Sequence, residues 1–328
     1  MNKGSGIRFE AVPGWHQRPR HLTYGFVSDV AVGPNDEVFI LTRRPGQIIV
    51  YSSDGSFIRA WGEGLFGDQP HGITVGGGRV YCTDVSNHVI HVFSLEGEQV
   101  DLLGIPGVAS DTGIDTSISE VFTRTASIKR GAPPFNMPTK VAIAPSGDLY
   151  VSDGYGNTRI HQFSPDGRLV RSWGEPGPRP GQFWVVHNVA ISADGRVFVC
   201  DRENERVQVF DSTGNFLEEW VDLQRPAAIA IGADGHFYVS ELSWKVEAGS
   251  FRQGRLRQAF DARITELDEQ GRVLQHATKV GADNVASFLS PHGIAIDSRG
   301  NLYVADVMVT PEMEPKVQMV QKLTRAAV

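Results

Sequence analysis

"TKVAIAPSGDLYVSDGYGNTRIHQFSPDGRLVRSWGE", residues 139–175, is one complete unit of a repeated pattern. It opens with a short apolar run, "VAI", and turns at "PSGD". It then runs through "LYVSD", crosses a polar loop, continues as "RIHQF", turns again at "SPDG" and ends in "RSWGE". Short β-branched or aromatic runs separated by Asp-Gly turns read as antiparallel hairpins. The unit therefore reads as four strands.

Its first strand recurs as "SDVAV" from 28, "HGITV" from 71, "TKVAI" from 139, "HNVAI" from 187, "AAIAI" from 227 and "HGIAI" from 292. Six four-stranded units of roughly 40 to 45 residues are the mark of a propeller, because stacking in a ring hides both faces of every sheet. The expected fold is an all-β, six-bladed β-propeller in one domain over 1–328. After "VQMVQKL" the last unit lacks a fourth strand, so "IRFEAVP" at the start of the chain is expected to supply it and close the ring.

Two gaps between first strands are long. The surplus falls in "GIPGVASDTGIDTSISEVFTRTASIKRGAPP", between a fourth strand and the next first strand, and in "SWKVEAGSFRQGRLRQAF", between a second strand and a third. Both connections open on the same side of an antiparallel blade, so both insertions should overhang one mouth of the channel. Long loops gathered on one end of a rigid scaffold mark a working face.

Aligning the six first strands brings Ser28, His71, Thr139, His187, Ala227 and His292 to one position. Histidine fills every second blade. Alternate blades of six stand roughly 120° apart in a propeller, so the three imidazoles should meet on the axis. Three neutral imidazoles leave a fourth position open, the ligand set of a catalytic zinc. Iron, cobalt and manganese also accept imidazole. A lone buried histidine is more often a hydrogen-bonded core residue; strict alternation of three is what favours a shared metal.

Second strands end on the same side. There Arg43 and Arg202 follow the acidic position or its equivalent, with Arg44 a rival to Arg43, and Tyr155 stands one residue later in "DGYGN". Two guanidinium forks beside a metal suit a carboxylate or other anion. A phenol near cations would ionise more readily and could act as a base, polarise a hydroxyl or bind the metal. Asp153 with Arg159 and Asp201 with Arg206 read as structural pairs. "GEGLFG" at 62–67 has neither a following helix nor a βαβ unit, so it reads as a turn between blades rather than a nucleotide loop.

The 328 residues are 41% hydrophobic with a net charge of -7, which argues against nucleic acid or an anionic membrane as partner. No run approaches a membrane span and the first residues lack the apolar core of a signal peptide. With only Cys82 and Cys200, no disulfide framework is expected. A cytoplasmic monomer acting on a small molecule, one bearing a carboxylate, is the expectation.

"YVSDGYGNTRIHQFSPDGRLVRSWGEPG", with "PGQFWVVHNVAI", "VFVCDRENERVQVF" and "SPHGIAIDSRGNLYVADV", resembles the NHL-repeat propeller of peptidyl-α-hydroxyglycine α-amidating lyases and their bacterial relatives. The likeness runs over nearly the whole chain. It implies a zinc held by His71, His187 and His292, a catalytic Tyr155, site arginines Arg43 and Arg202, and cleavage of a carbinolamide to an amide and glyoxylate. Where the animal members carry an acid that helps hold calcium, this chain has Gly293. Their disulfides have no counterpart, "VVHN" replaces a proline-histidine pair, and the blade-five insertion differs. Two alternatives stay open: a hydrolase of a small amide or ester using the same three-histidine site, and a non-enzymatic interaction scaffold.

Overall fold

The computed structural model describes residues 9–280, 286–309, 313 and 318–325. Six antiparallel sheets of four strands follow one another along the chain. Blade 3 shows the pattern: Pro138–Ile143, Leu149–Asp153, Arg159–Phe163 and Leu169–Trp173, in that spatial order. The first strands of the other blades are Phe26–Val32, Pro70–Gly76, Val186–Ile191, Pro226–Ile231 and Pro291–Ile296. Each packs against the next, and the first touches the last, so the six line a closed central channel.

The ring forms because no blade can hide both its faces alone. Six apolar clusters lie one to each interface between neighbouring blades. Leu41, Ile48 and Val50 of blade 1, for example, pack on Ile73, Val80 and Phe93 of blade 2. The interface of blades 1 and 6 closes the circle with Val30, Ile40 and Tyr51 against Tyr303 and Val320.

The sixth blade takes its outer strand from the start of the chain. Phe9–Ala11 pairs antiparallel with Val320–Arg325, Phe9 opposite Arg325 and Ala11 opposite Leu323. Residues 7 and 8 of the expected closing strand, and Val317 at the head of "VQMVQKL", lie outside the described residues.

The turn chemistry follows from glycine where no other residue fits. Gly174, in the "SWGE" that ends blade 3, has φ +107°, and a Cβ there would sit 2.3 Å from the Thr158 carbonyl oxygen.

Both insertions overhang the same mouth, and they meet. The first contains a helix that the sequence reading did not find, Val121–Ala126, started by Glu120, whose carboxylate accepts from the N–H groups of Phe122 and Thr123. The second folds back as a small hairpin, Gly249–Ser250 against Gly254–Arg255. Phe122 stacks on Phe251 with centroids 4.0 Å apart, and Phe251 stacks in turn on Trp184 at 4.9 Å. Between the insertions lies a cavity of about 260 Å3 whose lining includes Phe122, Trp244, Glu203 and Arg225.

Candidate metal centre

In every blade the register between first and second strand slips at one place, between Val27 and Asp29, Pro70 and Ile73, Pro138 and Lys140, Val186 and Asn188, Pro226 and Ala228, and Pro291 and Gly293. The aligned residue, Ser28, His71, Thr139, His187, Ala227 or His292, sits inside the slip. A bulge re-aims the side chain it carries. The acid that ends the second strand then pins the approach: Asp84 accepts from Gly67 N–H, Asp153 from Asn136, Asp201 from Trp184, Glu241 from Gln224 and Asp306 from Leu289.

The three imidazoles meet as a near-equilateral triangle, with ring centroids 4.7, 4.7 and 4.6 Å apart, and one nitrogen of each lies within 4.8 Å of the other two. All three rings are buried. Each is oriented by a carbonyl of the following blade: Thr139 O takes His71 Nδ1 at 2.8 Å, Ala227 O takes His187 Nδ1 at 2.6 Å and Ser28 O takes His292 Nδ1 at 2.7 Å. A carbonyl only accepts, so Nδ1 carries the proton and Nε2 keeps its lone pair for the centre. Desolvation holds each imidazole well below its ordinary pKa; Arg202 adds to this at all three, Arg43 at His71 and His292, and neighbouring imidazoles at His71 and His187. They are therefore neutral at neutral pH. The donor set fits a divalent transition ion, whose nitrogen ligands in a tetrahedral site stand roughly 3.3 Å apart.

The Tyr155 hydroxyl stands at the same point, 2.9 Å from His187 Nε2 and 3.3 Å from His71 Nε2. Arg202 Nη1 donates to that oxygen at 2.9 Å, and its guanidinium lies 5.1 Å from the centroid of the phenol ring. Burial would depress the Arg202 pKa, but Tyr155 and Glu203 outweigh it and raise the value. Arg43 donates from Nε to the Pro70 carbonyl at 2.8 Å, one residue ahead of His71. Arg44 is exposed.

Residues 135–163, 183–210 and 288–308 match the profile of the NHL repeat. The chain is a six-bladed propeller that carries NHL repeats in those segments. It is 28% identical over 312 residues to human NHL repeat-containing protein 3, an alignment spanning 90% of this chain and 80% of that one. A probable peptidyl-alpha-hydroxyglycine alpha-amidating lyase of Caenorhabditis elegans is 30% identical over 73% of this chain, which spans 65% of its length. Among solved structures, a streptogramin B lyase superposes with a TM-score of 0.58 at 14% identity, covering 97% of this chain and 98% of that one. That last likeness is one of fold.

Asp201 and Arg206 form the expected pair at 2.8 Å, buried on both sides. Asp153 and Arg159 do not. Asp153 is taken up by Asn136 N–H, Asn157 and His161, while Arg159 reaches out to Glu175 at 2.9 Å. The loop insertion from blade 2 brings Gly131 against Arg159 and supplies a carbonyl in place of the acid. At Gly293 a Cβ would stand 2.2 Å from Asp29 Oδ1, so the backbone leaves no room for an acidic side chain there without a shift.

Sequence reading missed Glu203. Its carboxylate takes Arg202 Nε at 2.7 Å and Arg225 Nη2 at 2.8 Å, and the guanidinium of Arg225 lies 4.6 Å from the ring centroid of Trp244. The signal was present in "DREN", where the acid adjoins the arginine. Only the 3-10 turn over Arg202–Asn204 folds it back to its neighbour.

Proposed function

We propose that this propeller is a metal-dependent lyase that cleaves the C–N bond of a carbinolamide, a peptidyl-α-hydroxyglycine-like compound, to an amide and glyoxylate or a related carbonyl product. The observation that carries the reading is the convergence of three neutral imidazoles, two of them, His71 and His187, within reach of the Tyr155 hydroxyl, with Arg202 bonded to that oxygen. Two relatives named as amidating lyases, one probable, at 30% and 27% identity, support it.

His71, His187 and His292 would hold the ion through Nε2, and zinc is the first choice for three imidazoles with an open position. Such an ion supplies Lewis-acid polarisation of a hydroxyl or carboxylate oxygen. Tyr155 is the general base: its oxygen takes the proton of the carbinol hydroxyl. As the carbon–oxygen bond becomes a carbonyl, the C–N bond breaks and the same proton passes to the departing amide nitrogen. No water is consumed. Arg202 stabilises charge on the Tyr155 oxygen through its 2.9 Å bond. Arg43, beside His71, would clamp the substrate carboxylate. The whole chain, residues 1–328, is read as one monomeric catalytic unit; its two buried free thiols suit a reducing, cytoplasmic compartment.

The test is turnover of α-hydroxyhippurate by protein purified without a polyhistidine tag. The reading expects benzamide and glyoxylate, loss of activity on chelation, recovery with zinc, and a kcat about 100-fold lower for Tyr155→Phe. Metal-loaded protein inert in every form would remove the lyase assignment. Benzoate carrying solvent oxygen would point instead to the hydrolase.

A further inference from the structure

One layer beneath the histidines, the residues that follow the slipped positions are Asp29, Gly72, Lys140, Asn188, Ala228 and Gly293. Two of the six carry charge, and they meet across the channel. Lys140 Nζ and Asp29 Oδ2 form an ion pair at 2.5 Å, with side chains only 13% and 4% exposed. Lys140 Nζ also donates to the Ile73 carbonyl at 2.6 Å, and Asp29 Oδ2 accepts the Ile73 N–H at 2.9 Å. Both ends of the pair therefore grip the backbone of Ile73, two residues beyond His71. Glycines make the space: a Cβ on Gly72 would stand 3.1 Å from Lys140 Cδ, and one on Gly293 would strike Asp29.

Stability alone is a poor account of such a pair. Burying two charges costs several kcal/mol, and apolar replacements of like volume are often no less stable. The covalent chain suggests another purpose. The carbonyl that aims His292 belongs to Ser28, joined by its peptide bond to Asp29. The carbonyl that aims His71 belongs to Thr139, joined in the same way to Lys140. Fixing the two side chains to one another fixes the two peptide planes.

We infer that Lys140 and Asp29 are positioning residues which tie blades 1, 2 and 3 across the channel and so set the aim of His71 and His292. His187 takes its bearing from Ala227, whose successor is the uncharged Ala228, and lies outside the device. The inference rests on the metal-centre reading for its purpose, yet its geometry can be read without metal.

Lys140→Met removes the charge at nearly constant length. The expected result is zinc binding weakened about ten-fold in competition titrations, the usual scale for losing an outer partner of a metal ligand. In metal-free protein, nitrogen–proton spectra should show the Nδ1–H signals of His71 and His292 moved and that of His187 unmoved. The double variant Asp29→Asn with Lys140→Met leaves no unpaired buried charge, so it guards against simple misfolding and should show the same pattern. Wild-type zinc affinity with all three signals in place would overturn the inference, as would equal movement of all three. Should the native protein take up no zinc, the metal reading fails separately and the spectra still decide the pair.

Discussion

Burial fixes the protonation of three histidines before any ion arrives. Each imidazole in the folded chain resists protonation far more than the ordinary value near 6.5, while the unfolded chain takes its proton there. Below that pH the unfolded state binds more protons, so stability falls as pH falls; above it the contribution is flat. The melting temperature of metal-free protein should therefore drop between pH 7.5 and 5.5. Replacing all three histidines by glutamine should flatten the slope, whereas parallel curves would contradict the account. Glu203 gives a second prediction at this scale. Glu203→Gln strips Arg202 of its buried partner, which costs about 3 kcal/mol or more. Melting should fall by several degrees and kcat by roughly ten-fold, about 1.4 kcal/mol, with KM changed less. The histidines, Tyr155, Arg43 and Arg202 were legible because each holds a repeat position or adjoins one. Glu203 and the three orienting carbonyls were not, since backbone acceptors leave no letter in a sequence.

At the level of elements, strands and turns followed from alternation and Asp-Gly punctuation, and the slip that aims each histidine did not. The extra residue in a bulge leaves the apolar pattern on either side intact, as in "PHGIAI", where Ile294 still faces Val304 in proper register. The helix over Val121–Ala126 was hidden for a different reason: six residues with one buried side chain, Thr125, carry too little periodicity to announce themselves. The insertions were recognised by length, but their meeting through Phe122, Phe251 and Trp184 depends on which rings end up stacked. Trp184 stands three residues before His187, so the stack couples the mouth to the centre. Phe251→Ala should raise KM for α-hydroxyhippurate several-fold and leave kcat near native in steady-state assays. An unchanged KM would detach the insertions from substrate binding.

For the whole molecule, ring closure is the decisive feature. The first strand of the chain contributes Phe9–Ala11, a backbone bond from Val12 to Lys322 at 2.9 Å, and the edge-on contact of Phe9 with Tyr238 of blade 5. At about 1 kcal/mol per net hydrogen bond plus the burial of one aromatic ring, its removal should cost roughly 3–5 kcal/mol. Deleting residues 1–13 should lower the melting temperature and leave the edge of Val320–Arg325 open to association; a truncated protein as stable as the full chain would contradict closure by this strand. The blade count and closure were legible because six copies of one sentence, the last of them incomplete, admit few other arrangements.

All of the proposed chemistry depends on an ion at the centre of that ring. Anomalous diffraction across metal absorption edges, from crystals of untagged and catalytically active protein, examines it directly. The expected result is one ion bonded to Nε2 of His71, His187 and His292 at about 2.1 Å each. Active protein whose histidine triangle holds no anomalous scatterer would contradict it.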